Sequence, residues 1–418
     1  MKINTIVSPR KYIPLAVLFF LLCVLQYVPA KDSFLYDSGY QEPEIIEDFQ
    51  YTLDSLIHQY GLPGATATFV LPDGTKHDFA SGFSDLESGV HMTIRSRMLA
   101  ASIGKTFVGA TLTTLSQEGH VNLDAPLWGY LGDRPWFSRL PNNKQITLRH
   151  LLTHSSGLPD HVYQEKFAAD LSRRWKQNTN LFSPEELIQY ILDSPPLFEA
   201  GKGWAYSDTN YILLGLVIEG ITGKSVFDII SEKFLVPLKL EMTGPSNSRY
   251  IENLSAGYMA ENNTFGLPSK TTTSQGELFW HPGFEWTGGG FVSNSADLAF
   301  WGWTLYGGKA MQEPYLCELL KAVPISHESD AIQYGAGTAI YRNSPLGDVY
   351  GHNGWIPGYC SSLRYYAGYG IAVAFQVNTE IGIMDTTRPV MKEMEVCLAR
   401  IVISHLNSIE NEWNSKGE

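Results

Sequence analysis

Apolar residues recur along this chain at two spacings, and the change between them divides it. Over residues 44–60, Ile45, Phe49, Leu53, Leu56 and Ile57 fall on one helical face. The spacing predicts an amphipathic helix that needs a sheet or another helix to cover. Gly61-Leu62-Pro63-Gly64 ends it. Residues 65–71 read as a buried strand, Pro72-Asp73-Gly74 as a turn, and residues 76–82 as the return strand. From about Arg95 the pattern turns helical, with helices predicted over 102–118, 147–153, 184–193, 210–221 and 225–234. Loops rich in Gly, Pro and Asn separate them, among them Leu140-Pro141-Asn142-Asn143 and Gly244-Pro245-Ser246-Asn247. Strand patterns return over 288–292, 335–341, 348–352, 360–366 and 370–378, and a final amphipathic helix is predicted from about Thr387 to Leu406.

This order predicts an α/β (α+β) fold: an antiparallel sheet flanked by N- and C-terminal helices, with an all-helical lobe inserted. Residues 31–94 and 286–410 build the α/β lobe, 95–285 the helical lobe, and 411–418 a tail. A pocket between two lobes is a common place for an active site. With 418 residues, 44% hydrophobic and 17% charged, the chain can bury a substantial core. A net charge of -13 argues against nucleic acid as a partner, because such proteins carry a basic footprint.

Lys2, Arg10 and Lys11 precede an apolar run over 12–28 that ends in Val28-Pro29-Ala30. That is the layout of a secretory signal over residues 1–30 and predicts export, to a periplasm or as a secreted protein. The run is also long enough for an uncleaved anchor, the one route to a membrane that the sequence offers. Cleavage after Ala30 removes three basic residues and no acidic one, leaving a still more acidic chain. Cys23 lies in this leader and follows Leu21-Leu22, against lipid attachment. Cys317, Cys360 and Cys397 cannot all pair with one another, and their spacing fits no zinc or redox motif. One disulfide with one buried thiol, or three buried thiols, are the alternatives.

The chemistry centres on Ala101-Ser102-Ile103-Gly104-Lys105, which opens an apolar helical run. Ser102 and Lys105, three apart, share one helical face. A serine hydroxyl needs a neighbouring base to act as a nucleophile, and the start of a helix favours developing negative charge. The simpler reading is an N-cap serine with a solvated lysine; Ser8 and Lys11 show the same spacing inside the leader. Gly203-Trp204-Ala205-Tyr206-Ser207-Asp208 leads into another apolar helix, and a tyrosine there serves as a proton shuttle if a nearby cation lowers its pKa. Gly351-His352-Asn353-Gly354-Trp355 closes a strand whose glycines let backbone pass close to a ligand.

Taken together and in this order, the three stretches resemble the serine beta-lactamase and penicillin-binding DD-peptidase family, in its class C-like branch. Leu151-Leu152-Thr153-His154-Ser155-Ser156-Gly157-Leu158-Pro159 is similar to that family's segment between the first two motifs. Phe198-Glu199-Ala200-Gly201, Gly288-Gly289-Gly290-Phe291-Val292-Ser293 and Asp297-Leu298 extend the likeness over roughly residues 53–378. The resemblance implies that Ser102 attacks a carbonyl to form an acyl-enzyme while Lys105 and Tyr206 carry the proton. It implies an oxyanion hole from the backbone N–H groups of Ser102 and Trp355, with His352 helping to bind a substrate carboxylate and tune the tyrosine. Asn353 and Gly354 complete the implied substrate-binding stretch.

Two positions depart from the family pattern. Asp208 stands where the family usually has Asn, so the side chain accepts hydrogen bonds but, ionised, donates none. It favours a charged Lys105, shifts the base role toward Tyr206, and is suited to hold a substrate ammonium. His352-Asn353 replaces Lys-Thr, and a partly charged histidine should capture a carboxylate less well than lysine.

His150 and His154, four apart, lack the glutamate of a metalloprotease motif, and no metal or cofactor is expected. Leu99 and Ile218 stand where phosphate loops ending at Gly104-Lys105-Thr106 and Gly223-Lys224-Ser225 would need glycine. No Gly-x-Ser-x-Gly elbow is present. The expectation is an exported serine hydrolase acting on a small-molecule or peptide substrate, foremost a D-alanyl-D-alanine carboxypeptidase-like peptidase. An esterase or beta-lactamase on the same scaffold is the alternative, and a catalytically inactive binding protein the further one.

Overall fold

A computed structural model describes residues 42–176, 182–263, 265–311, 313–383 and 389–416. The leader expected over residues 1–30 lies outside them. Helix α1 (Glu42–Tyr60) buries the apolar stripe read from the sequence, with Phe49 packed 5.0 Å from Phe69 and 4.5 Å from Phe79 between ring centroids. Those two phenylalanines stand on β1 (Gly64–Val70) and β2 (Lys76–Asp85). The short β3 (Val90–His91) follows on the sheet edge.

Three short strands, β4 (Met98–Leu99), β5 (Gly244–Pro245) and β6 (Phe291–Ser293), form a small separate sheet. β7 (Val323–Ser326), β8 (Ser329–Tyr334), β9 (Ala339–Ser344), β10 (Gly347–Ile356), β11 (Tyr359–Tyr366) and β12 (Ile371–Val377) complete the large one. Its order is β3-β2-β1-β12-β11-β10-β9-β8-β7, with antiparallel neighbours throughout. β1 pairs with β12 from Ala65↔Val377 to Val70↔Ala372, so the two ends of the chain meet in mid-sheet.

Two apolar layers follow from the alternation of side chains along these strands. One face carries Phe69, Phe79, Cys360 and Phe375 against α1 and a C-terminal helix reaching Lys416. The other carries Val70, Leu363, Ala372 and Ala374 against the inserted helices α2 (Gly104–Gln117), α3 (Glu165–Lys176), α4 (Asp208–Thr222) and α5 (Ser295–Tyr306). The C-terminal helix, α6 (Val390–Lys416), runs beyond the expected end at Leu406 and through part of the segment read as a tail. Helix α4 is buried on every side from Thr209 to Ile218, as a largely apolar helix in a lobe centre should be.

Several expectations are corrected. The strand expected over 288–292 is a helical turn, Trp286–Gly289, followed by β6, because Gly290 folds back on Trp286; a β-carbon there would lie 2.5 Å from the Trp286 carbonyl oxygen. The strand expected over 335–341 begins only at Ala339. β7 and β8 escaped the apolar pattern because β7 is a four-residue edge strand and β8, paired on both sides, opens with three exposed residues and buries only Ile332 and Tyr334. β4 and β5 lie within the segment read as helical; two residues are too few to show a period. Among the described residues no disulfide forms, and Cys317 is exposed, Cys360 buried and Cys397 half-buried. Neither cysteine alternative therefore holds.

Close backbone approaches fix α2 on the sheet. A β-carbon on Gly109 would lie 2.3 Å from the Ala336 carbonyl oxygen, and one on Gly337 2.2 Å from that of Lys105. Phe107 stacks on Trp301 of α5 with ring centroids 4.3 Å apart, and the Trp301 Nε1–H donates to Thr106 Oγ1 at 2.8 Å. Phe107→Ala should lower unfolding free energy by about 3–5 kcal/mol, the usual cost of removing a buried aromatic ring. Chemical denaturation checks this; a loss under about 1 kcal/mol would contradict the packing described.

Candidate active site

Ser102 sits in a single 3-10 turn, Ala101–Ile103, that leads directly into α2. Ala101 has φ 50°, in the left-handed region that a non-glycine residue adopts at some cost. The turn is held by its entry: the Ala100 N–H donates to Phe291 O at 2.8 Å, and Ser361 Oγ donates to Ala100 O at 2.9 Å. Gly354 of β10 lies against the same carbonyl, where a β-carbon would stand 2.1 Å away.

Lys105, the second residue of α2 and one turn on from Ser102, is fully buried. Its Nζ donates to Ser102 Oγ at 3.1 Å, to Asp208 Oδ1 at 2.5 Å and to the Gly288 carbonyl oxygen. Three acceptors match the three hydrogens of an ammonium. Asp208 is the first residue of α4, so the ion pair ties two helices together beside the serine.

Tyr206 lies just before α4 and is buried. Burial and then the charge of Asp208 push its pKa well up, opposed by a hydrogen bond with Ser102. The expected lowering by a nearby cation is therefore overturned, although Lys105 Nζ stands 4.9 Å from the ring centroid. At neutral pH Tyr206 is a phenol. The rings of His154, His352, Tyr334 and Trp204 surround it at centroid distances of 4.2, 6.1, 6.2 and 6.5 Å.

His352 is buried, and its pKa is pushed down to about 3 by burial and then by the charge of Lys105. The expectation of a partly charged histidine is corrected: the ring is neutral. Its Nδ1–H donates to Asn353 O at 2.5 Å, and its Nε2 accepts from the Tyr334 hydroxyl at 2.8 Å. Asn353 Oδ1 accepts from Arg364 at 2.7 Å, and Arg364 pairs at 3.0 Å with Glu395 of α6. The Asn353 side chain thus stands on the sheet face turned away from Ser102, since neighbours on a strand alternate. The Trp355 Nε1–H donates to Glu380 at 2.7 Å.

β9 pairs with β10 only as far as Gly351, so residues 352–356 form an open edge. The closing hairpin pair is Ile356↔Tyr359, and hydrogen-bonded pairs alternate from there. The Trp355 N–H then points out of the sheet along that open edge, beside the turn that carries Ser102.

Sequence reasoning missed two acids. Asp160 is buried and its pKa is raised well above the usual carboxylate range by burial and then by Asp208. Glu285 is pushed up to about 8 by the same two causes in the same order. A β-carbon on Gly289 would lie 3.0 Å from Glu285 Oε2, 3.1 Å from the Ser102 nitrogen and 2.9 Å from the Ala101 carbonyl carbon, so this acid stands close to the nucleophile's backbone. A single acid in a loop offers no spacing to read; the Gly288-Gly289-Gly290 run was the one visible signal. His150 and His154 serve different partners, Thr147 N–H and Ser207 N–H, and do not converge. Among the described residues no group of three His, Cys, Asp or Glu is arranged to hold a metal ion, and no helix is long and apolar enough to cross a membrane.

Comparison with known proteins agrees with this fold. A family model described as Beta-lactamase matches residues 49–393. Penicillin-binding protein 4* of Bacillus subtilis (strain 168) is 24% identical over 317 residues, covering 73% of this chain and 65% of that protein. The chain spans less than two thirds of the length of the curated relatives it matches. Among solved structures, a D-stereospecific amidohydrolase from Streptomyces sp. is 26% identical with a TM-score of 0.68, covering 80% of this chain and 94% of that one. The D-amino acid amidase from Ochrobactrum anthropi SV3, complexed with L-phenylalanine amide, shares the fold at 23% identity, a TM-score of 0.69 and coverage of 87% and 99%.

Two outcomes test the site geometry. Gly289→Ala should displace the Ser102 turn and slow acylation on the order of 100-fold, the scale of a 1 Å misplacement; stopped-flow acylation that is unchanged would contradict the close approach. Glu285 has a folded pKa raised from 4.5 to about 8, so its contribution to stability is present below about pH 4.5 and is lost as pH rises through 8. Melting temperatures at pH 5 and pH 9 should therefore fall further in the wild type than in Glu285→Gln.

Proposed function

The chain belongs to the beta-lactamase family and is a serine hydrolase, and on that premise we propose that it is an exported amidase or peptidase that works through an acyl-enzyme. The observation that carries this reading is the contact of a buried, ion-paired Lys105 with the Ser102 hydroxyl at 3.1 Å. The basic residues ahead of the apolar run over 12–28 support export, and the acidic net charge supports a substrate other than nucleic acid.

In acylation, Ser102 Oγ attacks the amide carbonyl while its proton passes to the Tyr206 oxygen. The phenolic proton moves on to the leaving nitrogen, so the new C–O bond and the broken C–N bond balance without a free tyrosinate. Because the tyrosine never has to ionise, that relay stays open to a Tyr206 whose pKa is raised. The Lys105 ammonium stabilises negative charge as it develops on the two oxygens. The backbone N–H groups of Ser102 and Trp355 would receive the carbonyl oxygen, a contribution of ~3 kcal/mol per donor. Water repeats the sequence in reverse to release the acid.

The surroundings favour a substrate with a free amino group. Lys105 is already paired, His352 is neutral, and Asp208, which meets Lys105 through Oδ1, is the ionised group that stays partly exposed beside Ser102. An ammonium complements such a site better than a terminal carboxylate does. The similarity to a D-stereospecific amidohydrolase supports an amide of a D-amino acid. The D-alanyl-D-alanine carboxypeptidase-like reading rests on the likeness to a penicillin-binding protein, and esterase or beta-lactamase turnover would use the same serine.

Turnover of D- and L-amino-acid amides, with the amino group free or acetylated, separates these readings beside a D-alanyl-D-alanine peptide, a penicillin and a simple ester. Acetylation should lower kcat/KM by about tenfold or more, the scale of one charge-assisted contact. Asp208→Asn should erase that preference while keeping turnover. Faster cleavage of the D-alanyl-D-alanine peptide than of any free amide would overturn the amino-group reading in favour of the carboxypeptidase.

A further inference from the structure

His154 has a left-handed backbone, φ 57°, and a fully buried side chain outside the motifs that carry the chemistry. A non-glycine residue held there is costly and persists where its surroundings demand it. Its contacts bracket Tyr206. The His154 carbonyl oxygen accepts from the Ala205 N–H at 3.0 Å, and Nδ1 accepts from the Ser207 N–H at 3.2 Å. The same Nδ1 lies 3.0 Å from Asn210 Nδ2 on α4, and the ring packs against the Tyr206 ring at 4.2 Å. A backbone N–H only donates, so Nδ1 must be the bare nitrogen and the ring neutral with its hydrogen on Nε2. Nε2 has no hydrogen-bond partner among the described residues, so the polar contacts of the side chain run through Nδ1. Burial, and then the charge of Lys105, push the His154 pKa well down, which keeps Nδ1 an acceptor.

We infer that His154 is a positioning residue for Tyr206, clamping the backbone on both sides of the tyrosine and packing on its ring so that the hydroxyl stays on Ser102. The assignment rests on the reading that Tyr206 moves the Ser102 proton. Metal binding and a second catalytic base are both excluded as roles for this ring, because its one acceptor nitrogen is already engaged.

The test is a set of rates of Ser102 phosphonylation by a fluorophosphonate, with loss of fluoride standing in for the acylation step, over concentrations up to saturation on full-length protein, with melting temperature measured beside each. His154→Gly keeps the left-handed backbone and the carbonyl contact but removes Nδ1; it should slow acylation at least tenfold with little change in the concentration giving half-maximal rate. His154→Asn puts an acceptor where Nδ1 stood and suits the same backbone, and should recover most of the rate. His154→Gln, with its acceptor one bond further out, should not. In a Tyr206→Phe background, His154→Gly should add less than a twofold loss, because the hydroxyl it positions is gone. A full tenfold loss in that background, or wild-type rates in both His154→Gly and His154→Gln, would overturn the assignment. If His154→Gly does not fold, the Asn and Gln variants carry the comparison. A Tyr206→Phe enzyme that acylates at the wild-type rate would instead remove the shuttle reading itself.

Discussion

A buried ammonium is the constraint around which this site is built. Lys105 has no exposure to water, and a charge in that position is tolerated only when paired and fully hydrogen-bonded. Its three acceptors come from three separate parts of the chain: the turn before α2, the start of α4, and the Gly288 carbonyl ahead of β6. Satisfying one side chain therefore fixes the nucleophile, the tyrosine loop and the glycine run relative to each other. The close approaches at Gly109, Gly289 and Gly337 are the backbone side of the same requirement, since each lets a main chain come within contact of α2 or the Ser102 turn.

That one charge also sets the protonation of its neighbours. It helps hold His352 neutral, while Asp208, its partner, raises Tyr206, Asp160 and Glu285. The cleft then carries neutral rings and protonated acids around one ion pair. A neutral shuttle tyrosine follows from the same electrostatics, while the proposed preference for a cationic substrate group rests on the Asp208 carboxylate. Export and substrate class remain proposals that rest on the leader and on this balance of charge.

Much of the site was legible in the chain because its chemistry is spaced. Ser102 and Lys105 lie one helical turn apart, and Tyr206 and Asp208 stand at the head of a largely apolar helix. The terminal helices and the central strands were equally legible, since each buries a regular stripe. What could not be read depends on tertiary surroundings. Whether His352 is charged is decided by burial beside Lys105, and the direction of Asn353 by the register of β10 and its contact with Arg364. Glu285 and Asp160 are single acids in loops. The edge strand β7 is four residues long and its neighbour β8 begins with three exposed residues, so both look like loop until β8 pairs with β7 on one side and β9 on the other.

The most direct measurement is intact-mass spectrometry of the purified protein after exposure to a fluorophosphonate, beside Ser102→Ala. The account predicts one adduct per chain in the wild type and none in the variant. An adduct of equal yield on Ser102→Ala would contradict it, because the nucleophile would then lie away from the Lys105 ion pair.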